Sequence, residues 1–303
     1  MMLMYILFYL LLLLLIPLFD TILKNIKNFL SWKRLISFLQ TYYDLIKLFR
    51  KENQKSQFTS FISFLAPIVI LSASAMFLFF IPTIVPGLDI NLIVLFHILG
   101  LSSIFLMLYA FDNATYFGGL WASREAFVLA IVEPVTILLI LAFVLISWGH
   151  FDLLSIHQSL GINKDIFTWV FMWLLFITLF TILLAENKRF PFDNPTTHLE
   201  LTMIHEAMLL ETNGAKLGIL EIAAKINLIA FINLIIYLIW TNTYWFNSIW
   251  SLFWLYIIKV IVLLGLVAFV EVFITKMRLF KYQNVFAFLL FIQLLFIAFY
   301  LFR

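Results

Sequence analysis

Eight stretches of this chain are each long and apolar enough to cross a bilayer, at about 2–19, 60–81, 91–111, 127–148, 167–185, 218–240, 250–273 and 284–302. A spanning helix needs ~20 mostly apolar residues. The chain is 65% hydrophobic and 12% charged, where soluble domains carry roughly 25% charged residues. No water-soluble core could bury that much apolar surface, so the solvent is lipid. In lipid every backbone polar group must be paired within the chain, which leaves helices or a closed barrel. Long apolar runs without alternation select helices. The predicted class is all-α: a polytopic membrane protein with about eight transmembrane helices. No internal repeat is visible, and residues 1–303 read as a single membrane domain.

The basic residues are distributed unevenly about these runs. Loops 20–59, 112–126, 186–217 and 274–283 hold 15 of the 19 Lys and Arg, against only Lys164 in the intervening loops. The positive-inside rule places those four loops in the cytoplasm and both termini on the outer side of the cell's inner membrane. The opening run "MMLMYILFYLLLLLLIPLFD" lacks a basic leader and a small-residue cleavage site, so it reads as a retained helix. A net charge of +3 with scattered cations does not suggest nucleic acid as a partner. The chain has no cysteine, which excludes iron–sulfur clusters on it, since these are held by thiolates. No cofactor is expected on this chain.

Within 22–55, apolar residues recur at Leu35, Phe38, Leu39, Tyr42, Leu45, Ile46 and Phe49. That is helical spacing with a basic opposite face, and it predicts an amphipathic surface helix after the first span. It serves as an interface anchor or a docking surface.

Ionisable groups inside a bilayer cost several kcal/mol and mark function by default. Glu133 precedes Pro134 early in span four; Glu221 and Lys225 lie i,i+4 in span six; Lys259 and Glu271 lie in span seven; Glu186 closes span five. Asp112, Arg124 and Glu125 fall in the predicted loop before span four. The bland reading makes Glu221–Lys225 a structural ion pair and Glu186 and Glu271 interfacial residues. Taken together, the acids gather toward the cytoplasmic half, which describes a hydrated cavity open to that side.

Residues 186–216 form a polar insertion with five carboxylates and two histidines. Pro191 and Pro195 forbid a continuous helix. Thr197 with Glu200 can form a capping box, ahead of a helix carrying Leu199, Met203, Ala207 and Leu210 on one face and closed by Gly214. The loop is therefore expected to be folded. His198 and His205 lie two turns apart, without the HExxH or close His/Cys grouping of a zinc site. No metal is expected.

The run "ENKRFPFDNPTTHLELTMIHEAMLLE" closely resembles the membrane subunit of energy-converting group 4 nickel–iron hydrogenases, the formate hydrogenlyase type. That family is homologous to subunit 1 of respiratory complex I. "LQTYYDLIKLFRKE" at 39–52 and "SREAFVLAIVEP" at 123–134 resemble two further family motifs in the same order. Pro191-Phe192-Asp193 leans to the complex I branch. The resemblance implies a subunit between a membrane arm and a hydrophilic redox arm. Nickel–iron and iron–sulfur centres would sit on partners: a hydrogenase large subunit, iron–sulfur subunits and an antiporter-like membrane subunit. A proton path is expected from Asp112, Glu125, Glu133, Glu186, Glu200, Glu206, Glu221 and Lys225. Docking to the arm is expected from Asp44, Lys47, Arg124, Arg189, Asp193, His198 and His205. The alternative is the quinone-site subunit 1 of complex I. A haem anchor is disfavoured, because only His97 lies in a span, and a free-standing transporter would have to work without partners.

Overall fold

The computed structural model describes residues 2–52, 60–82, 88–113, 115–162, 166–193, 205–210, 212, 214–240 and 249–302. The helices are α1 Met2–Leu30, α2 Gln40–Arg50, α3 Ile62–Phe80, α4 Leu92–Asp112, α5 Tyr116–Ile146, α6 Leu153–Ile162, α7 Ile166–Glu186, α8 His205–Met208, α9 Gly214–Ile239, α10 Ile249–Phe273 and α11 Leu279–Phe302. Eight of them, α1, α3, α4, α5, α7, α9, α10 and α11, are long and apolar enough to span a membrane, as predicted. Helix α9 is the hub. Nearly every residue from Ile226 to Leu238 is buried, which is how a helix apolar on all sides is accommodated. It packs against α1, α2, α3, α6, α7 and α10.

Several boundaries differ from those read in the sequence. Helix α1 continues past residue 19 to Leu30, so it runs about 43 Å at 1.5 Å per residue and outreaches a ~30 Å hydrocarbon core. The amphipathic helix is only Gln40–Arg50, although the apolar periodicity begins at Leu35. The reason lies in side chains of α1. Asn25 accepts from the Ile36 amide at 2.8 Å and donates to the Ile36 carbonyl at 3.0 Å, and the Thr21 hydroxyl donates to the Phe38 carbonyl at 3.0 Å. These bonds hold 31–39 as a non-helical elbow running back along α1. Tertiary pairing here overrides local periodicity.

Asp112, Arg124 and Glu125 are not in a loop. Asp112 ends α4, while Arg124 and Glu125 lie inside α5, which starts at Tyr116. The Thr115 side chain caps α5 by accepting from the Gly118 amide at 3.2 Å. The Arg124 guanidinium stacks 3.9 Å from the Trp121 ring centre. Helix α9 begins at Gly214, with φ +60°, so that glycine opens a helix where a closing one was expected. Helix α6, in a stretch predicted as an outer loop, was not foreseen. It is tied in by a two-residue antiparallel bridge, Leu92 amide to Phe151 carbonyl and Leu153 amide to Ile90 carbonyl, both 2.9 Å.

Three helices end on a non-glycine residue in left-handed conformation: Trp32 after α1, Trp148 after α5 and Lys188 after α7, at φ 55°, 61° and 54°. The next residue's amide reaches back five positions in each case: Lys33 to Asn28, Gly149 to Val144, and Arg189 to Leu184, at 2.8, 2.9 and 2.8 Å. This closure satisfies carbonyls that a helix end leaves free.

Candidate functional site

The C-terminal ends of α1, α4, α7 and α10 and the N-terminal ends of α3, α5, α9 and α11 share one face of the bundle, here termed the charged end. The stretch after α7 organises it. Lys188 turns the chain out of the helix, and Phe192 anchors the segment beyond it. Phe192 is buried, with its ring 5.2 Å from Tyr282 and 5.3 Å from Phe286, both in α11. The Tyr282 hydroxyl donates to the Phe192 carbonyl, and the Met277 amide donates to the Pro191 carbonyl at 2.9 Å. The "PFD" step is thus an apolar plug with backbone ties to the α10–α11 connection.

Three charged residues flank that plug, and each reaches a different element. Lys188 pairs with Glu125 of α5 at 3.2 Å, Arg189 with Glu271 of α10 at 3.1 Å, and Asp193 with Lys276 at 2.6 Å. Lys27 of α1 approaches the other oxygen of Glu271 at 2.5 Å. That contact satisfies charge and not hydrogen-bond angle, because this oxygen receives no well-aligned hydrogen. The Glu271 side chain has no exposed surface. A carboxylate so buried is tolerable only with compensating cations, and it has two, from α1 and from the residue after Lys188. Arg189 and Asp193, expected on a docking surface, are both engaged in these internal pairs, with Asp193 buried.

A second group lies beside it. Asp20, buried in α1, pairs with Lys24 at 2.9 Å and accepts from the Thr41 hydroxyl at 3.2 Å. The charges of Lys225 and Arg189 also act on it. Glu221 and Lys225 form the expected i,i+4 pair at 3.0 Å.

The third group is the one with spare acidity. Glu186 accepts from Ser103 of α4 at a long 3.5 Å. The carboxylates of Glu125 and Glu133 and the ammonium of Lys188 all act on it. Glu186 and Glu125, from two helices, thus lie about the Lys188 ammonium, with Glu133 acting on Glu186 more weakly, and Ser103 stands next to further polar groups. Its neighbour Ser102 accepts from Asn227 of α9 at 3.5 Å, and the buried Asn227 Oδ1 has no partner among the described residues. Glu133 itself sits on an exposed face of α5.

Other predicted residues take different places. Asp112 accepts from the Ser63 and Ser60 amides at 2.9 and 3.0 Å and from the Ser60 hydroxyl. It thereby caps α3 from the end of α4. Asp44 accepts from Gln40 at 3.0 Å, and Lys47 is exposed on α2. His198 and Glu200 lie outside the described residues. So do the side chains of His205 and Glu206, whose backbone opens the short helix α8. Lys27, Asp20 and Lys276 belong to the site although the sequence did not single them out. Asp20–Lys24 was detectable from its i,i+4 spacing; the partners of Glu271 are distant in sequence and left no local signal.

The arrangement defines a class: a polytopic helical membrane protein with a buried ion-pair cluster and a group of carboxylates at one end. Residues 3–301 match the family described as NADH dehydrogenase, and the chain belongs to that family. It is 28% identical over 213 residues to hydrogenase-4 component C of Escherichia coli (strain K12), covering 69% of this chain and 65% of that protein. It is 32% identical over 163 residues to NADH-ubiquinone oxidoreductase chain 1 of Strongylocentrotus purpuratus, covering 51% and 48%. The matched region thus spans less than two thirds of each of these relatives. A chain of the membrane-bound sulfane sulfur reductase, an archaeal respiratory membrane complex, has the same fold with a TM-score of 0.81 at 18% identity, over 98% of this chain and 99% of that one.

Proposed function

We propose that this chain is the membrane subunit that couples a redox arm to ion translocation in a hydrogenase-4-like respiratory complex. The observation that carries the reading is the Glu125–Glu133–Glu186 group. Neighbouring carboxylates disfavour one another's charged form, which suits such a group to proton transfer. Ser103, Ser102 and Asn227 extend the polar lane from Glu186 into the bundle. The charged end faces the cytoplasm in this reading, and Glu200, Glu206, Glu221, Lys225 and Asp112 are assigned to the same proton path. Phe29 at the end of α1 and Trp32 and Leu35 in the elbow, all strongly exposed, support docking of a partner subunit there; Arg124, His198 and His205 are assigned to the same docking role. The partners in this reading are a hydrogenase large subunit, iron–sulfur subunits and an antiporter-like membrane subunit, which carry the redox centres.

The test is translocation by the assembled complex in proteoliposomes. Glu186→Gln and Glu133→Gln keep size and remove the titrating proton. Each is expected to cut coupled ion uptake by about a hundredfold, the lower range for loss of a proton-transfer group, while the complex still purifies intact. Unchanged uptake in both variants defeats the proton role. The second reading, the quinone-site subunit 1 of complex I, is favoured by the plug at Pro191-Phe192-Asp193 and by the resemblance to chain 1. Stoichiometric quinone in the purified complex would select it.

A further inference from the structure

Helix α2 carries a cation-lined groove that the redox and proton readings leave unused. Tyr43, Ile46, Lys47, Arg50 and Lys51 line an open hollow of about 390 Å³ on one face of the helix. Tyr43 and Ile46 form its apolar floor and are 58% and 48% exposed. The three cations are exposed and have no ion-pair partner among the described residues. Like charges on successive turns repel one another, so a bare cluster of this kind favours an anion.

The depth of the groove identifies the anion. The Tyr42 hydroxyl donates to the Leu14 carbonyl, and the Thr41 hydroxyl donates to Asp20. Helix α2 therefore lies along α1 between Leu14 and Asp20. This is where the apolar run of α1 gives way to Asp20, Lys24 and Lys27, the boundary between hydrocarbon and water. On the other side, Phe49 lies over Gly218 of α9, where an added Cβ would come within 3.4 Å of its ring. That fixes the helix flat against the bundle at the boundary. At this depth an apolar floor faces acyl chains while Lys and Arg reach up to headgroup level.

We propose that this groove binds an anionic phospholipid, with Lys47, Arg50 and Lys51 around the phosphate and Tyr43 and Ile46 against the upper acyl chain. Lys47 is thereby reassigned from the docking surface to the lipid. A zwitterionic headgroup offers no net charge to the cluster. A soluble phosphate lacks the chain that covers the floor.

The experiment is native mass spectrometry of the intact complex, exchanged from nanodiscs of phosphatidylcholine doped with phosphatidylglycerol. Each basic residue near an anionic surface contributes about a fivefold gain in affinity. The K47Q/R50Q/K51Q variant is therefore expected to bind phosphatidylglycerol on the order of 100-fold more weakly. K33Q/R34Q, which removes two cations from the elbow above, is expected to bind it as the unaltered complex does. Should the triple variant fail to assemble, K47Q and R50Q singly are each expected to lose about fivefold. Equal retention of phosphatidylcholine and phosphatidylglycerol overturns the proposal. So does a triple variant that keeps its lipid, or one that sheds its hydrophilic subunits with lipid affinity unchanged, which would assign the groove to a protein. Ion uptake is not part of the readout, so failure here is separate from failure of the translocation reading.

Discussion

At the scale of single residues, Glu271 has the highest energetic stake. Its side chain is fully buried and held by Lys27 and Arg189. Removing one partner of a buried ion pair strands the remaining charge and costs about 3–5 kcal/mol. Glu271→Ala strands two cations and is expected to lower the thermal unfolding midpoint of the detergent-solubilised protein sharply. By contrast, Glu221→Ala removes an acid that is 38% exposed and leaves one cation, Lys225, 13% exposed, and is expected to shift the midpoint less, because solvent screens the acid's side of that pair. Comparable midpoints for the two variants would show that the Glu271 cluster does not hold the bundle.

The contrast between these two acids also explains what the sequence could and could not convey. Glu221–Lys225 is readable from a four-residue spacing on one helix. The partners of Glu271 come from residues 82 and 244 positions earlier in the chain, and no local pattern specifies such pairings. Arg189 and Asp193 looked like surface charges because the loop holding them is polar. The plug of Phe192 against Tyr282 and Phe286 turns that loop inward, and the two charges with it.

At the scale of elements, apolar run length predicted all eight spans, while helix ends and small elements escaped. The end of α1 could not be read because residues 20–30 mix charges with apolar positions, and the elbow is set by Asn25 and Thr21 bonding a backbone more than ten residues away. Helix α6 escaped for a similar reason. Its place depends on the bridge to 90–92 and on His157, whose Nδ1 lies 2.7 Å from the Tyr237 carbonyl and whose ring stacks 4.3 Å from that of Tyr237. The neutral Nδ1–H tautomer makes that bond.

Burial holds His157 below its ordinary pKa of 6.5; the Tyr237 carbonyl opposes the shift and the Lys259 charge adds to it. A histidine with a lowered folded pKa binds fewer protons folded than unfolded, so it favours the docked helix above pH 6.5. That contribution is lost as pH falls through 6.5 and past the folded pKa. Hydrogen exchange across Leu153–Ile162, corrected for the intrinsic pH dependence, is expected to be faster at pH 5.5 than at pH 8. In His157→Gln the corrected rates are expected to be equal at the two pH values. A pH effect that survives in the glutamine variant would place the sensor elsewhere.

At the scale of the whole molecule, sidedness governs everything proposed for the charged end. The carboxylate group can take protons from the cytoplasm, and the α2 groove can meet the inner leaflet, only if that end faces inward. The physical case is the asymmetry of 15 Lys and Arg on one set of loops against one on the other. The membrane potential and the translocation machinery convert such an asymmetry into orientation. The chain has no cysteine, so a single introduced thiol reports on sidedness without background. Arg278 and His150 are both exposed and stand at opposite ends of the bundle. Arg278→Cys is expected to react with a membrane-impermeant maleimide in inside-out vesicles and to stay unlabelled in intact spheroplasts, with His150→Cys behaving in reverse. The opposite pattern would put the carboxylates on the proton-exit side and turn the α2 cations toward the outer leaflet. It would overturn the arrangement even if every contact within the bundle were right.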